Sequence, residues 1–317
     1  MLHNFLTAFQ FSIGVTLPTV FLLLFGLFLQ RTGQIDGAFS QAASKLMFNW
    51  ALPALLFFAI VESQVSFGGQ IKLLAVGAIV ALILFTAAEI VAYFLIEKRD
   101  RGVFVQGIYR GNTAIIGLAF CANAYGADGI AVGAVFTGTM TLLYNVLAVI
   151  TLSRSLEKSN TSVFSVVKNI IKNPLIIGIV FALFCRMLNF RLPETVSQSG
   201  HYLAATALPL ALICVGASFD FKSLFKIKDF SLWASIARVT VSPALAIVIG
   251  LAFGLDKITF GVLFLMSATP IAAAAFVMVQ AMGGNSKAAA NIIGMTTLFS
   301  MITAPIWITL LRWKGLM

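Results

Sequence analysis

GNTAIIGLAF, Gly111 to Phe120, and ATPIAAAAF, Ala268 to Phe276, are the two stretches that decide how this chain is read. Each lies in a long apolar segment where a helix would otherwise run unbroken. One holds a Gly-Asn-Thr run and the other a Thr-Pro, with no charge to explain either. Inside a bilayer, freed backbone groups are tolerated only where protein or a wet cavity satisfies them. Paired interrupted helices in the two halves of a chain therefore point to a transport site.

Around these stretches the composition is that of a membrane protein: hydrophobic residues make up 60% of 317 positions and charged residues 10%. Apolar runs of about twenty residues recur without the short alternation of barrel strands, which predicts an all-α polytopic fold. Ten transmembrane helices can be drawn, at about 5–29, 40–61, 72–96, 103–124, 129–152, 171–190, 196–218, 230–253, 258–281 and 288–311. The two interrupted stretches fall in the fourth and ninth. The net charge of +10 comes from Lys and Arg scattered singly between apolar runs, which reads as topology-setting charge and excludes a nucleic-acid partner. Cys121, Cys185 and Cys214 fall inside spans with no paired spacing and no His cluster, so they read as small apolar residues. No nucleophile, phosphate-binding Gly loop or metal cluster stands out, so neither an enzyme nor a bound cofactor is expected. The first apolar run lacks a basic leader and a cleavage site and is taken as a retained span.

With the N-terminus outside, the cytoplasmic connections carry twelve basic residues: Arg31, Lys98, Arg99, Arg101, Arg154, Lys158, Lys168, Lys172, Lys222, Lys226, Lys228 and Lys287. The outer side carries six: Lys72, Arg186, Arg191, Lys257, Arg312 and Lys314. This bias predicts both termini on the outer side of a cell membrane. Ser162 to Pro174 has apolar residues at helical spacing, with Lys168 and Lys172 on the other side, and reads as an interfacial helix leading into the sixth span.

At an offset of 156 residues the two halves align. Pro18 meets Pro174 and Phe28 meets Phe184. Ala-Leu-Pro at Ala51–Pro53 meets Ala-Leu-Pro at Ala207–Pro209, Ile71-Lys72 meets Ile227-Lys228, and Thr113, Ile115 and Phe120 meet Thr269, Ile271 and Phe276. Five spans per half is odd, so the second half must enter the membrane inverted. The expected organisation is a first five-helix repeat over 1–152, a cytoplasmic loop over 153–173, and a second, inverted repeat over 174–317. Asn112 lies about eleven residues beyond Arg101 and Thr269 about twelve beyond Lys257. At 1.5 Å per residue, both breaks come to roughly 16 to 18 Å deep, near the midplane from opposite sides.

At each break the second half-helix presents free N–H groups and the positive end of its dipole, which together favour a small anion such as a carboxylate. Asn112, Thr113, Ser267 and Thr269 stand where they either cap those ends or hydrogen-bond a substrate. Two ionisable residues are singled out within spans, Glu89 and Arg238, at similar depth. They read as a coupling or gating pair, with a structural pair or a snorkelling Arg238 as the plainer alternatives. Asn145, with Tyr144 and Asn49, is a further polar group of the spans that either lines the same cavity or makes interhelical hydrogen bonds.

These features resemble the auxin efflux carrier family, including its bacterial permeases, over essentially the whole chain. The resemblance rests on the ten spans, the inverted repeat, Ala-Leu-Pro in the second span, Lys-Asn-Pro at Lys172–Pro174 and Gly-Asn-Thr in the fourth span. In the family pattern Asn-Thr-x-x-x-Gly-x-Pro, Asn112, Thr113 and Gly117 match while Ala119 replaces the proline. In the ninth span Pro270 matches and Ala275 replaces a second proline. The resemblance implies broken crossover helices and a scaffold domain of spans 1, 2, 6 and 7. It also implies a transport domain of spans 3, 4, 5, 8, 9 and 10, an elevator motion and, often, a homodimer. Substrates of bacterial relatives such as malate or malonate make a small organic anion the expected cargo, with Asn112, Thr113, Gly117, Ser267, Thr269, Pro270 and Asn145 near it, driven by a proton or sodium gradient. A sodium-coupled carrier of the bile-acid type and a membrane sensor that does not transport are the competing readings.

Overall fold

A computed structural model describes residues 2–62, 70–156, 172, 174–188, 190, 192–217 and 229–317. Regular structure among them is helical throughout, apart from one antiparallel β-bridge between Gly111 and Ile271. The helices are α1 (Leu2–Arg31), α2 (Gly37–Leu46), α3 (Leu52–Val61), α4 (Gln70–Leu95), α5 (Arg101–Tyr109), α6 (Leu118–Leu156), α7 (Pro174–Met187), α8 (Glu194–Ala217), α9 (Asp229–Ala252), α10 (Lys257–Ser267), α11 (Ala273–Ala281) and α12 (Ser286–Trp313). A π-turn at Met47–Ala51 joins α2 to α3, and another at Thr113–Gly117 opens α6.

Seven helical stretches among the described residues are long and apolar enough to cross a membrane, and α7 and α10 are shorter apolar helices. Two departures from uniform spans have local causes. The stretch from Leu118 to Leu156 bends at Gly126, whose φ of 60° and ψ of −139° interrupt the helix, a conformation that glycine adopts without a Cβ clash. This bend falls between the predicted fourth and fifth spans. The predicted ninth span is two short helices, α10 and α11, because Thr269-Pro270 stops the first. Most of the expected interfacial helix, and Lys222, Lys226 and Lys228, lie outside the described residues.

Large apolar side chains remain on the outer faces of the helices, Phe94 and Leu95 each 76% exposed, as a lipid-solvated surface requires. Inside, α1 packs on α8 and α12, and α3 packs on α7 and α8. The α1–α8 crossing is a backbone-to-backbone approach: a Cβ on Gly26 would run into Ile213, and one on Gly216 into Leu23. Small residues permit that closeness where neighbouring helices gain nothing from hiding apolar surface from lipid. On the other side, α9 packs against α4, α5, α10 and α12. This brings Arg238, midway along α9, to the place where α5 and α10 both end.

Candidate functional site

The two interrupted stretches meet. The Asn112 N–H donates to the Pro270 carbonyl at 2.8 Å and the Ala272 N–H to the Arg110 carbonyl at 3.1 Å, so the breaks pair as a two-bond antiparallel bridge. The Ile271 N–H is satisfied by Thr296 Oγ1 of α12 at 3.2 Å. The N–H groups of Asn112, Ile271 and Ala272 at the breaks are thus bonded within protein, as a membrane interior demands of backbone that does not face a wet cavity.

Four half-helix ends converge at this bridge: the C-termini of α5 and α10, and the N-termini of the Thr113–Gly117 turn and α11. On the C-terminal side sits Arg238, 1% exposed. Its Nε donates to the Thr269 carbonyl at 2.8 Å, and Nη1 to the carbonyls of Ile108 and Tyr109, both at 3.1 Å. Nη2 donates to the Ser267 carbonyl at 2.8 Å and to Thr269 Oγ1 at 3.3 Å. The carbonyls of Ile108, Tyr109 and Ser267 are among those a helix end leaves without an intrahelical donor, and that of Thr269 lies just beyond the end of α10. Gly111 is glycine because of this contact: a Cβ there would stand 2.5 Å from Arg238 Nη2 and 2.7 Å from Thr269 Oγ1.

The expected pairing of Arg238 with Glu89 is absent. Glu89 Oε1 is buried with no hydrogen-bond partner among the described residues, and no ion pair joins the two. Electrostatics accounts for the choice Arg238 makes. Each helix C-terminus carries about half a negative elementary charge, so two converging ends offer roughly the countercharge of one carboxylate.

On the N-terminal side lies a cavity of about 430 Å³. Arg110 to Ile115, Thr141, Tyr144, Asn145 and Ala272 to Ala274 line it, with Phe48, Lys172, Pro174 and Leu175 completing the wall. Asn112 Oδ1 accepts from the Ile115 N–H at 3.3 Å and so caps the half-helix that follows. Opposite it, Ala272 caps α11 with no side-chain oxygen, which leaves the first N–H groups of that helix to the cavity. Arg110, 4% exposed, donates from Nη2 to Asn145 Oδ1 at 2.6 Å. Its Nη1 donates to Gln106 Oε1 at 3.0 Å and contacts Met278 Sδ at 2.9 Å. No Asp or Glu is among the described lining residues, so two helix N-termini and a guanidinium all act there with the same positive sign.

Of the residues expected near a substrate, Asn112, Thr113 and Asn145 line this cavity. Ser267, Thr269 and Pro270 stand at the crossover with their carbonyls engaged by Arg238, Ser242 or Asn112. Gly117 packs against α10, where a Cβ would stand 2.5 Å from Met266 Sδ. The residue the sequence reading passed over is Arg110. Its signal was present: a charge immediately before Gly-Asn-Thr, nine positions past Arg101 and therefore about 13 Å along the same segment. Lys172, read above as a cytoplasmic charge at the end of the expected interfacial helix and as the start of Lys-Asn-Pro, is an exposed member of the cavity wall.

Comparison with known proteins points to transport. Residues 11–308 match the family described as membrane transport protein. An uncharacterized transporter of Methanocaldococcus jannaschii is 24% identical over 308 residues, covering 92% of this chain and 96% of its own. Another from Methanothermobacter thermautotrophicus is 24% identical over 312 residues, covering 94% and 98%. The uncharacterized transporter YfdV of Escherichia coli is 21% identical over 316 residues, covering 95% and 98%. The chain belongs to the membrane transport protein family, that of the auxin efflux carriers, and is a multi-pass membrane transporter and not an enzyme.

Proposed function

We propose that this transporter moves a small organic anion, a mono- or dicarboxylate of the size of malate or malonate, and that the anion binds in the cavity at the crossover. The observation that carries this reading is Arg110: a buried guanidinium on the cavity wall, beside two half-helix N-termini, with no carboxylate among the described residues to neutralise it. An uncompensated cation in a low-dielectric site is costly unless a counter-ion arrives, and a carboxylate matches the guanidinium fork. Asn145 and Gln106 hold the fork in place, Asn112 and Thr113 border the bound anion, and Lys172 draws it in at the edge.

Movement follows an elevator scheme. Residues 1–152 and 174–317 act as inverted repeats of ten spans in all, with both termini outside. The helices α1, α2, α3, α7 and α8 serve as the scaffold and the remainder as the carrier. The packing of α1 on α8 and of α3 on α7 and α8, and of α9 on α4, α5 and α10, supports that division, with α1 lying against α12 across it. Glu89, with a buried unpartnered carboxylate oxygen on a helix packed against α5, is the group assigned to coupling.

Uptake of labelled malate, malonate and an aromatic carboxylate into proteoliposomes tests the reading, with proton and sodium gradients imposed separately and Arg110→Ala as control. Accumulation of one acid by the wild type and not by the variant is expected. Equal movement by both, or none of any acid by folded protein, would remove the anion reading.

A further inference from the structure

We infer that Arg238 occupies the position of a coupling cation, so that the crossover of this transporter works without a bound sodium ion. Transporters built on broken helices bind sodium through unwound backbone carbonyls and the C-terminal ends of half-helices. This chain assembles such a cage from the carbonyls of Ile108, Tyr109, Ser267 and Thr269 and the hydroxyl of Thr269. The guanidinium fills it. Its five N–H groups match the five contacts, one from Nε and two from each Nη. At 1% exposure the group is sealed from water, and Gly111 is kept free of a side chain that would strike it.

The charge argument is as close as the geometry. Two helix C-termini stabilise about one positive charge, and Arg238 provides it covalently. A fixed cation keeps the crossover assembled in every state but cannot be released to either side, so it draws no work from a sodium gradient. It also ties α9 to the ends of α5 and α10, so these three helices move as one piece. The inference rests on the transporter reading for its meaning but not on which anion is carried.

The test needs no substrate. Thermal unfolding of the purified wild type is followed in detergent with sodium, potassium or choline chloride at equal ionic strength. A ligand that binds only the folded state raises the midpoint. The three wild-type midpoints are expected to coincide, whereas Arg238→Ala should unfold several degrees lower and regain stability with sodium or methylguanidinium over choline. A sodium-specific rise in the wild type would overturn the inference, whether or not the variant can be purified. So would a folded variant that no cation stabilises. Loss of organic-anion uptake alone would leave it standing.

Discussion

Two buried arginines lie on opposite sides of one helix crossover and do different work. Arg238 gives every guanidinium N–H to the oxygens of two helix ends, and its charge is matched by the dipoles it completes. Arg110 has two neutral oxygen partners and a sulfur contact, faces a cavity, and shares it with helix ends of its own sign. Burial and charge are the same in kind, so neither marks the binding residue. The count of donors already satisfied, and the sign of the helix ends alongside, separates a structural pin from a site awaiting a ligand.

Removing the pin should have the largest effect. Arg238→Ala leaves the buried carbonyls of Ile108, Tyr109 and Thr269 without their donor and Ser267 with Ser242 alone, at about 1–3 kcal/mol for each orphaned acceptor. The thermal midpoint should fall further than for any other substitution considered, and a midpoint within a degree of wild type would dissolve the contrast between the two arginines. Gly111→Ala attacks the same contact from the other side, because its methyl must displace the guanidinium or the Thr269 side chain. A clear loss of stability is expected, smaller than for Arg238→Ala.

Arg110→Ala should reverse the pattern, keeping the fold while anion affinity drops at least tenfold, about 1.4 kcal/mol. Arg110→Lys keeps the charge but not the fork held by Asn145 and Gln106, so affinity between the two is expected in an equilibrium binding assay. Asn112→Ala removes a cap at the cavity, at about 1 kcal/mol of stability. It should also weaken anion binding, which Asn112→Asp, adding negative charge beside the ligand, should weaken further.

The smallest effect comes from the far end of α10, where an ordinary helix cap sets the scale for Arg238. Asp256 accepts from the N–H groups of Ile258 and Thr259, both at 3.1 Å, and from Thr259 Oγ1 at 2.7 Å. Partial burial pushes its carboxyl pKa up, but these hydrogen bonds outweigh burial and hold it below the usual value. A folded-state pKa below the unfolded one means the stabilisation is present above the unfolded value and is lost as pH falls through the folded one. Asp256→Ala should cost about 1 kcal/mol or less near neutral pH. Its unfolding midpoint should converge with that of the wild type in acid, and a gap that widens in acid would reverse the assigned sign.

The breaks were legible because Gly-Asn-Thr and Thr-Pro interrupt apolar helices in a way that no lipid-exposed segment tolerates. That they meet followed from depth, which a rise of 1.5 Å per residue converts directly from sequence. Depth is one coordinate only. Glu89 and Arg238, which the same residue count puts at similar depth, do not pair, because the turn of a helix about its axis and the choice of neighbour come from packing. For the same reason Ser267 and Thr269 were read through their hydroxyls, whereas Arg238 is held by both backbone carbonyls and, of the two hydroxyls, by that of Thr269 alone. Arg110 was legible and was passed over. A charge next to a helix break belongs with the break rather than with the loops.

The most direct test of the division between the two arginines is equilibrium binding of labelled malate and malonate to purified wild type and Arg110→Ala, with thermal midpoints measured on the same samples. The account predicts midpoints within a few degrees of each other, with affinity for at least one acid reduced tenfold or more in the variant. Equal affinities in two equally stable proteins would contradict it and leave Arg110 as a second structural cation.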